Sequence, residues 1–379
     1  MDEIILENID YSKRKAKKTM IICIITHLIF LSLSVIFITL FAIEKNKNNE
    51  NNNNDSEKDN KSTPKTEFLT LWNDRTPKNE LINYITKITN EKSDSFVPKE
   101  DRIAVFDLDG TLFQETDPIY LDHKLYMYRV LNDSNYTPTN EQKELAYKIK
   151  EYADKGEFPP LNKEHAILNA EIFADMEIEE LYKYTKNYLD QPSDGYNNMK
   201  RGDAFYKPML EVIDYLQKND FIIYVVSGTD RFTVRAIIEG HINIPKSQVI
   251  GTEAKIIADN QGEIDGLDYI FQKGDKLQFK GELVSKNLNM NKVYNIIKEI
   301  GKIPILSFGN SGSDSSMAEL VLKNKNGKAF MVLCDDLERE RGDINKAKSM
   351  ENNCIKNNWI SISMHDDWKT IYGYDVTKK

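Results

Sequence analysis

Ile103-Ala104-Val105-Phe106-Asp107-Leu108-Asp109-Gly110-Thr111-Leu112-Phe113 is the stretch on which the fold turns. The run is apolar without a helical period and ends in acidic residues and a glycine, so it reads as a buried parallel strand feeding a functional loop. The carboxylates then sit at the strand's carboxyl end, the edge of an open α/β sheet where ligands bind. Residues i and i+2 of a strand face the same way, and a turn at Gly110-Thr111 lets Asp107 and Asp109 converge on one small volume. Two carboxylates that close repel unless a cation or a shared proton neutralises them. A strand ending in a solvated acidic turn is the plain alternative; the strand context and the partners downstream favour a ligand site.

Phe106-Asp107-Leu108-Asp109-Gly110-Thr111-Leu112 resembles the first signature of the haloacid dehalogenase superfamily. The resemblance implies an α/β fold, a Rossmann-like three-layer parallel sheet with an inserted helical cap, in which Asp107 is the nucleophile and Asp109 the acid/base. It also implies three later motifs, in order. For the second, Phe221 to Val226 reads as a buried strand ending in Ser227-Gly228-Thr229-Asp230, where a hydroxyl and Gly-flanked amides can hold a phosphoryl oxygen. Ser-Gly after a strand is also common in ordinary turns. The third is a lysine near a helix start. Lys292, in Asn289-Met290-Asn291-Lys292-Val293, opens the helix leading into the next strand, with Lys276, Lys280 and Lys286 as local competitors. The fourth, Gly309-Asn310-Ser311-Gly312-Ser313-Asp314, follows an expected strand at Ile303 to Phe308. The superfamily commonly has Gly-Asp there with a second Asp four residues on, and this chain carries Asn310 in the first acid's place. Asn still offers an amide oxygen to Mg²⁺, with one negative charge fewer. Similar Gly-Asn-Ser forms occur in relatives resembling phosphoserine and phosphorylcholine phosphatases.

A chain of 379 residues, 40% apolar, is long enough for one sizeable core plus an accessory domain. Its net charge of −9 speaks against a nucleic-acid partner. Cys23, Cys334 and Cys354 make no metal spacing; a Cys334 to Cys354 bridge and two buried thiols both stay open. Residues 1–19 form a basic segment, and Met20 to Ile43 contains no Asp, Glu, Lys or Arg. As a helix that run would extend about 36 Å, enough to span a bilayer. Lys13, Arg14, Lys15, Lys17 and Lys18 precede it while only Lys45 and Lys47 follow closely, which places the N-terminus in the cytoplasm and the rest outside. A cleaved signal peptide competes, but the run exceeds a usual apolar region of about 7 to 15 residues, and Leu40 with Ala42 is a poor cleavage site. Residues 44–66, rich in Asn and Lys, read as a disordered tether holding the domain on the order of 25 Å from a membrane anchor.

Residues 67–113 and 206–379 are then the core and 114–205 a helical cap that would exclude water. Helices are expected over Pro118 to Leu131, Asn140 to Asp154 with Thr139 as N-cap and Gly156 as stop, Lys163 to Asp175, and Glu177 to Asp190. Thr76-Pro77 opens an N-capped helix, and Pro208 to Asn219 is another. Val249 to Phe271, broken at Asn260-Gln261-Gly262, reads as a β-hairpin. Ala329 to Cys334 reads as a buried strand and Trp359 to Met364 as an edge strand. His123, His165, His241 and His365 are scattered in sequence and read as satisfied or surface histidines.

The resemblance implies a Mg²⁺-dependent phosphomonoesterase acting through an aspartyl-phosphate on Asp107. Asp107, the carbonyl of Asp109, Asn310 and Asp314 would hold the metal, and Gly110, Thr111, Ser227, Gly228 and Lys292 the phosphate. An acid at 109 suits a phosphatase, because haloacid cleavage needs no acid for its leaving group. Glu115 lies eight residues after the nucleophile, whereas phosphoserine phosphatases place an amine-reading Glu nine after it, so its role stays open. Phe113, Tyr120, Tyr126 and Tyr128 could cage a cation, although their helical spacing favours core packing. The substrate expected is a small phosphomonoester. A silent membrane-tethered binding domain, or hydrolysis of another bond on the same fold, are the alternatives.

Overall fold

β1 (Ile103–Phe106) is buried at every residue, as an apolar run without alternation requires when helices cover both faces of a sheet. α1 (Thr76–Thr89) precedes it, and α2 (Leu121–Leu131), α3 (Asn140–Lys155), α4 (Asn162–Glu171) and α5 (Ile178–Leu189) follow, with a short β2 (Tyr196–Asn197). Then come α6 (Lys207–Lys218), β3 (Ile222–Asp230), α7 (Arg231–Ile238), β4 (Val249–Ala258), β5 (Leu277–Ser285) and α8 (Met290–Ile300). β6 (Leu306–Gly309), α9 (Ser315–Leu322), β7 (Lys328–Leu333), α10 (Ile344–Asn357), β8 (Ile360–Ser363) and β9 (Thr377–Lys378) complete the chain. This computed structural model describes residues 68–379. The basic segment, the apolar run at 20–43 and the tether at 44–66 lie outside the described residues. Among those described, no helix is long and apolar enough to cross a membrane.

The main sheet runs β5-β4-β3-β1-β6-β7-β8, parallel throughout except for β5, which returns antiparallel along β4. The fold is α/β with helices on both faces. β1 sits between β3 and β6, with Phe106 opposite Val225 and Phe308. Side chains alternate across a strand, so Phe106, Phe308 and Phe330 stack in a row on one face at centroid spacings of 4.4 and 5.0 Å. Val105 joins Val226, Ile250 and Ile296 on the other.

Local chemistry explains most element ends. Thr139 accepts the Gln142 amide, Gln142 returns the bond to the Thr139 backbone, and Gly156 closes α3 in the left-handed region at φ 70°. α1 starts differently from expectation: Thr76 is its first helical residue, and Arg75 at the cap position makes no side-chain cap. The expected hairpin also differs. Its return strand is Leu277–Ser285 rather than the residues up to Phe271, and Asp259 to Lys276 forms a loop of turns. Leu267 and Ile270 are 96% and 80% exposed; that loop has no buried face to specify a register. β3 continues through Ser227-Gly228-Thr229-Asp230, which therefore lies in extended backbone rather than in a loop. Cys334 and Cys354 are free buried thiols, and Trp72 packs edge-on against Trp368.

The helices α2 to α5 interrupt the chain between β1 and β3. The chain leaves and re-enters the core side by side: the Gln114 amide donates to Ala204 O and the Tyr206 amide to Leu112 O, each at 2.9 Å. Phe113 packs edge-on against Phe205 there. A second seam runs along β5, where the Asp175 amide donates to Phe279 O and the Phe279 amide to Met176 O.

Candidate active site

β1 ends by donating the Asp107 amide to Phe308 O at 2.9 Å, which sets the Asp107 side chain at the carboxyl edge of the sheet beside the loop after β6. Gly110 then turns the chain at φ 79°. A Cβ at 110 would also overlap the Asn310 amide, so this position needs glycine twice over. The turn closes by donating the Gly110 amide to Phe113 O and the Thr111 amide to Leu108 O. Both amides expected to cradle a phosphate are thus committed to the turn; the Thr111 hydroxyl is buried without a partner.

Lys292, in the first turn of α8, is fully buried. Its Nζ donates to Asp107 Oδ1 and Asp314 Oδ1, each at 2.6 Å. Of the other lysines considered, Lys276 pairs with Glu177 and Lys280 with Glu263 and Glu282 on the surface. Lys286 stands 4.0 Å from Asp122. Asp314 Oδ2 accepts the amides of Asn310 and Ser311 and the Ser311 hydroxyl. Both Asp314 oxygens are therefore engaged, one orienting Lys292 and the other shaping the loop.

Asp109 has different surroundings. Its Oδ2 accepts the Thr229 hydroxyl at 3.0 Å, and its Oδ1 is buried without a partner. Asn310 is buried too, and neither its Oδ1 nor its Nδ2 is hydrogen-bonded. Unpaired buried polar atoms are costly and uncommon. Here the unpaired Asn310 amide oxygen lines one cavity with Asp107 and Asp109, and amide and carboxylate oxygens are hard donors of the kind that fits Mg²⁺.

The electrostatics separate the two acids. Burial raises the Asp107 carboxyl and Asp314 adds to the rise, while Lys292 opposes both. Burial pushes Asp109 well above the ordinary carboxylate range, Asp122 and Asp107 push it further, and only the Thr229 hydroxyl holds it down. Burial thus raises both acids, but a buried cation opposes the rise only at Asp107.

Asp107, Asp109, Asn310, Gly228 and Thr229 line a cavity of ≈70 Å³ with Glu115, Tyr120, Asp122 and His123. A larger cavity of ≈800 Å³ lies between α1, α10 and β8 and includes none of these residues. Ser227 is not in the wall. It is fully buried, its Oγ accepts the Thr229 amide at 3.0 Å and its carbonyl accepts Asn287 Nδ2 at 2.9 Å. Glu115 faces the cavity already paired, with Lys346 Nζ 2.6 Å from both oxygens and the Tyr120 hydroxyl at 3.0 Å. The four aromatics form no cage. Phe113 packs on Phe205, Tyr126 donates to Gln142 O, and Tyr128 lies against Tyr188, leaving Tyr120 alone at the wall.

Two histidines overturn the expectation that all are scattered and satisfied. His123 and His165 stack with centroids 4.0 Å apart, and Asp122 Oδ1 lies 3.1 Å from His123 Nδ1. Burial, reinforced by His123, pushes the His165 imidazole well below its usual range. His241 stacks on Phe205, and His365 pairs with Asp366 at the surface. Thr229, Asp122 and Lys346 were not anticipated at the site. Thr229 lies within the quoted Ser227 to Asp230 motif, whereas Asp122 and Lys346 carry no local pattern because they reach the site from separate helices.

No family model matches the chain, and no curated protein does. Among solved structures, a conserved functionally unknown protein from Anaerococcus prevotii DSM 20548 is similar at 12% identity and TM-score 0.49, covering 75% of this chain and 91% of that one. The structure of cytosolic 5'-nucleotidase IIIB bound to cytidine is similar at 13% identity and TM-score 0.43, covering 76% and 84%. A phosphoserine phosphohydrolase-like protein from Francisella tularensis subsp. tularensis SCHU S4 is similar at 15% identity and TM-score 0.36, covering 69% and 94%. None of these likenesses bears on the chemistry of the site.

Proposed function

We propose that this chain is a phosphomonoesterase of the haloacid dehalogenase type, hydrolysing a small phosphorylated metabolite through an aspartyl-phosphate on Asp107. The observation that carries the reading is Lys292 Nζ between Asp107 and Asp314 at 2.6 Å, with Asp109 and the unpartnered Asn310 amide beside it. An oriented carboxylate next to a buried cation, with a second carboxyl whose burial favours its protonated form, is the equipment for phosphoryl transfer through a covalent intermediate.

In this scheme an Asp107 oxygen attacks phosphorus in line, forming the O–P bond as the bond to the leaving oxygen breaks. Asp109 delivers its proton to that oxygen, releasing an alcohol. Asp109, now ionised, takes a proton from the water that attacks the aspartyl-phosphate, releasing phosphate and restoring Asp107. Lys292 offsets charge on the phosphoryl oxygens, and Thr229 orients Asp109. Asp107, the Asp109 carbonyl and Asn310 would hold Mg²⁺, which supplies charge neutralisation for the approach of a dianion. Residues 114–205 acting as a cap, and a membrane-anchored chain with its catalytic part outside, belong to the same reading; the charge asymmetry around residues 20–43 supports the orientation.

Phosphate release from p-nitrophenyl phosphate by the full chain, with and without Mg²⁺ and beside Asp107→Asn, tests the scheme. Metal-dependent release that vanishes in the variant is expected. Release undiminished in Asp107→Asn overturns it.

A further inference from the structure

The first turn of α2 carries Asp122 and His123, and α4 brings His165 against them. The His123 amide donates to Asp122 Oδ1, His123 stacks on Tyr120 and Tyr126 meets His165 edge-on, but the proposed chemistry uses none of the three. Among the described residues this is the one cluster of His, Cys, Asp or Glu whose potential ligand atoms all lie within 4.8 Å of one another. All three side chains are buried, His165 at 1% exposure. Neither ring nitrogen of His165 has a hydrogen-bond partner, and His123 Nδ1, although 3.1 Å from Asp122 Oδ1, is not aligned to donate to it. Buried imidazoles ordinarily spend their nitrogens on a neighbour. Here the nitrogens stand unpaired beside a carboxylate.

We propose that Asp122, His123 and His165 form a metal site for a borderline divalent cation of the Zn²⁺ class, separate from the oxygen set around Asp107. Two imidazoles and one carboxylate are the ligand chemistry that such a cation takes in three-residue sites with an open fourth position. Ligand atoms each about 2.0 to 2.2 Å from a tetrahedral ion stand roughly 3.4 Å apart. Here Asp122 Oδ1 to His123 Nδ1 is 3.1 Å and Asp122 Oδ2 to His165 Nδ1 is 3.9 Å, and the two stacked rings must turn out of their near-parallel planes to bring both nitrogens onto one ion. The ion has a way in, because Asp122 and His123 line the cavity. An ion there would place a positive charge near the acid/base pair, because Asp107, Asp109, Asp122 and His123 line the same cavity. Lys286, whose Nζ stands 4.0 Å from Asp122 Oδ2, is the charge the ion must displace or share with.

The site does not depend on the phosphatase reading, and its test needs no turnover. The full chain is equilibrated with Zn²⁺ in excess Mg²⁺, so that the oxygen set is filled, and bound zinc is counted. One Zn²⁺ per chain is expected, with affinity falling about 100-fold or more in Asp122→Asn and in His165→Gln and unchanged in Asp107→Asn. Lys286→Gln is expected to tighten binding. Failure of wild-type protein to retain zinc overturns the proposal, as does loss in Asp107→Asn or undiminished retention in both ligand variants. Because His165→Gln is an interior change that could unfold the helices, zinc K-edge X-ray absorption on wild-type protein gives an independent reading. Two imidazoles in the first coordination sphere support the site, and none overturns it.

Discussion

Asp107 and Asp109 stand two residues apart, yet the regions they face are built on opposite plans. Around Asp107 the fold completes its own electrostatics: Lys292 bridges Asp107 and Asp314, and Asp314 is further held by the Asn310 and Ser311 amides. Around Asp109 the fold leaves groups unanswered, namely one oxygen of Asp109 itself, both polar atoms of Asn310 and both ring nitrogens of His165. A self-contained ion network holds its geometry in the absence of any ligand. Unanswered polar atoms are tolerated where something from outside supplies the partner. The difference teaches which groups the fold holds ready on its own, Asp107 among them, and which it leaves for a ligand to complete, the receptor side.

Asp107→Asn gives the largest effect expected: turnover falls at least about 10³-fold, as for loss of a nucleophile, with the circular dichroism spectrum unchanged. If Asp109→Asn abolished turnover while Asp107→Asn spared it, the roles of the two regions would be exchanged. Lys292→Met comes next. It leaves two buried carboxylates facing each other, so urea denaturation is expected to show a loss of about 3 to 5 kcal/mol, and the surviving folded protein to turn over about 10² to 10³ times more slowly. Asn310→Ala probes the receptor side. Because no hydrogen bond of Asn310's side chain is lost, stability is expected to stay within about 1 kcal/mol, while Mg²⁺ affinity in a calorimetric titration falls about 10-fold. A stability loss as large as that of Lys292→Met would erase the contrast. Lys346→Met is the mildest. It strips the partner from buried Glu115, but Lys346 is partly open to solvent, so about 1 to 2 kcal/mol is expected from the same denaturation curves.

Legibility in the sequence followed how locally each feature is determined. The buried strand before Asp107, the Thr139 cap, the Gly156 stop and the placement of Lys292 at a helix start all depend on neighbours within one turn or one strand. The return strand of the hairpin did not, because Leu267, Tyr269 and Phe271 imitate an alternating strand although Leu267 and Phe271 are exposed, and the true partner of β4 lies beyond a polar loop. The amides of Gly110 and Thr111 were assigned to a ligand since their donors to Phe113 and Leu108 only appear once the turn is closed. His123 and His165 belong to different helices, and only the packing of α2 on α4 brings them to a 4.0 Å stack. Asn310 was legible as a departure from an acid, but its lack of any partner was not.

The paired crossings at Leu112 to Gln114 and Ala204 to Tyr206 carry one more implication. The segment between them, about half of it helix, departs and returns through a doorway two hydrogen bonds wide, so its length does not set the register of β1 against β3 and β6. In evolutionary terms the doorway leaves the helices free to change as long as the seam of Asp175 and Met176 on Phe279 is kept. Selection can rewrite what the cavity admits while the reacting groups at the strand ends stay where they are.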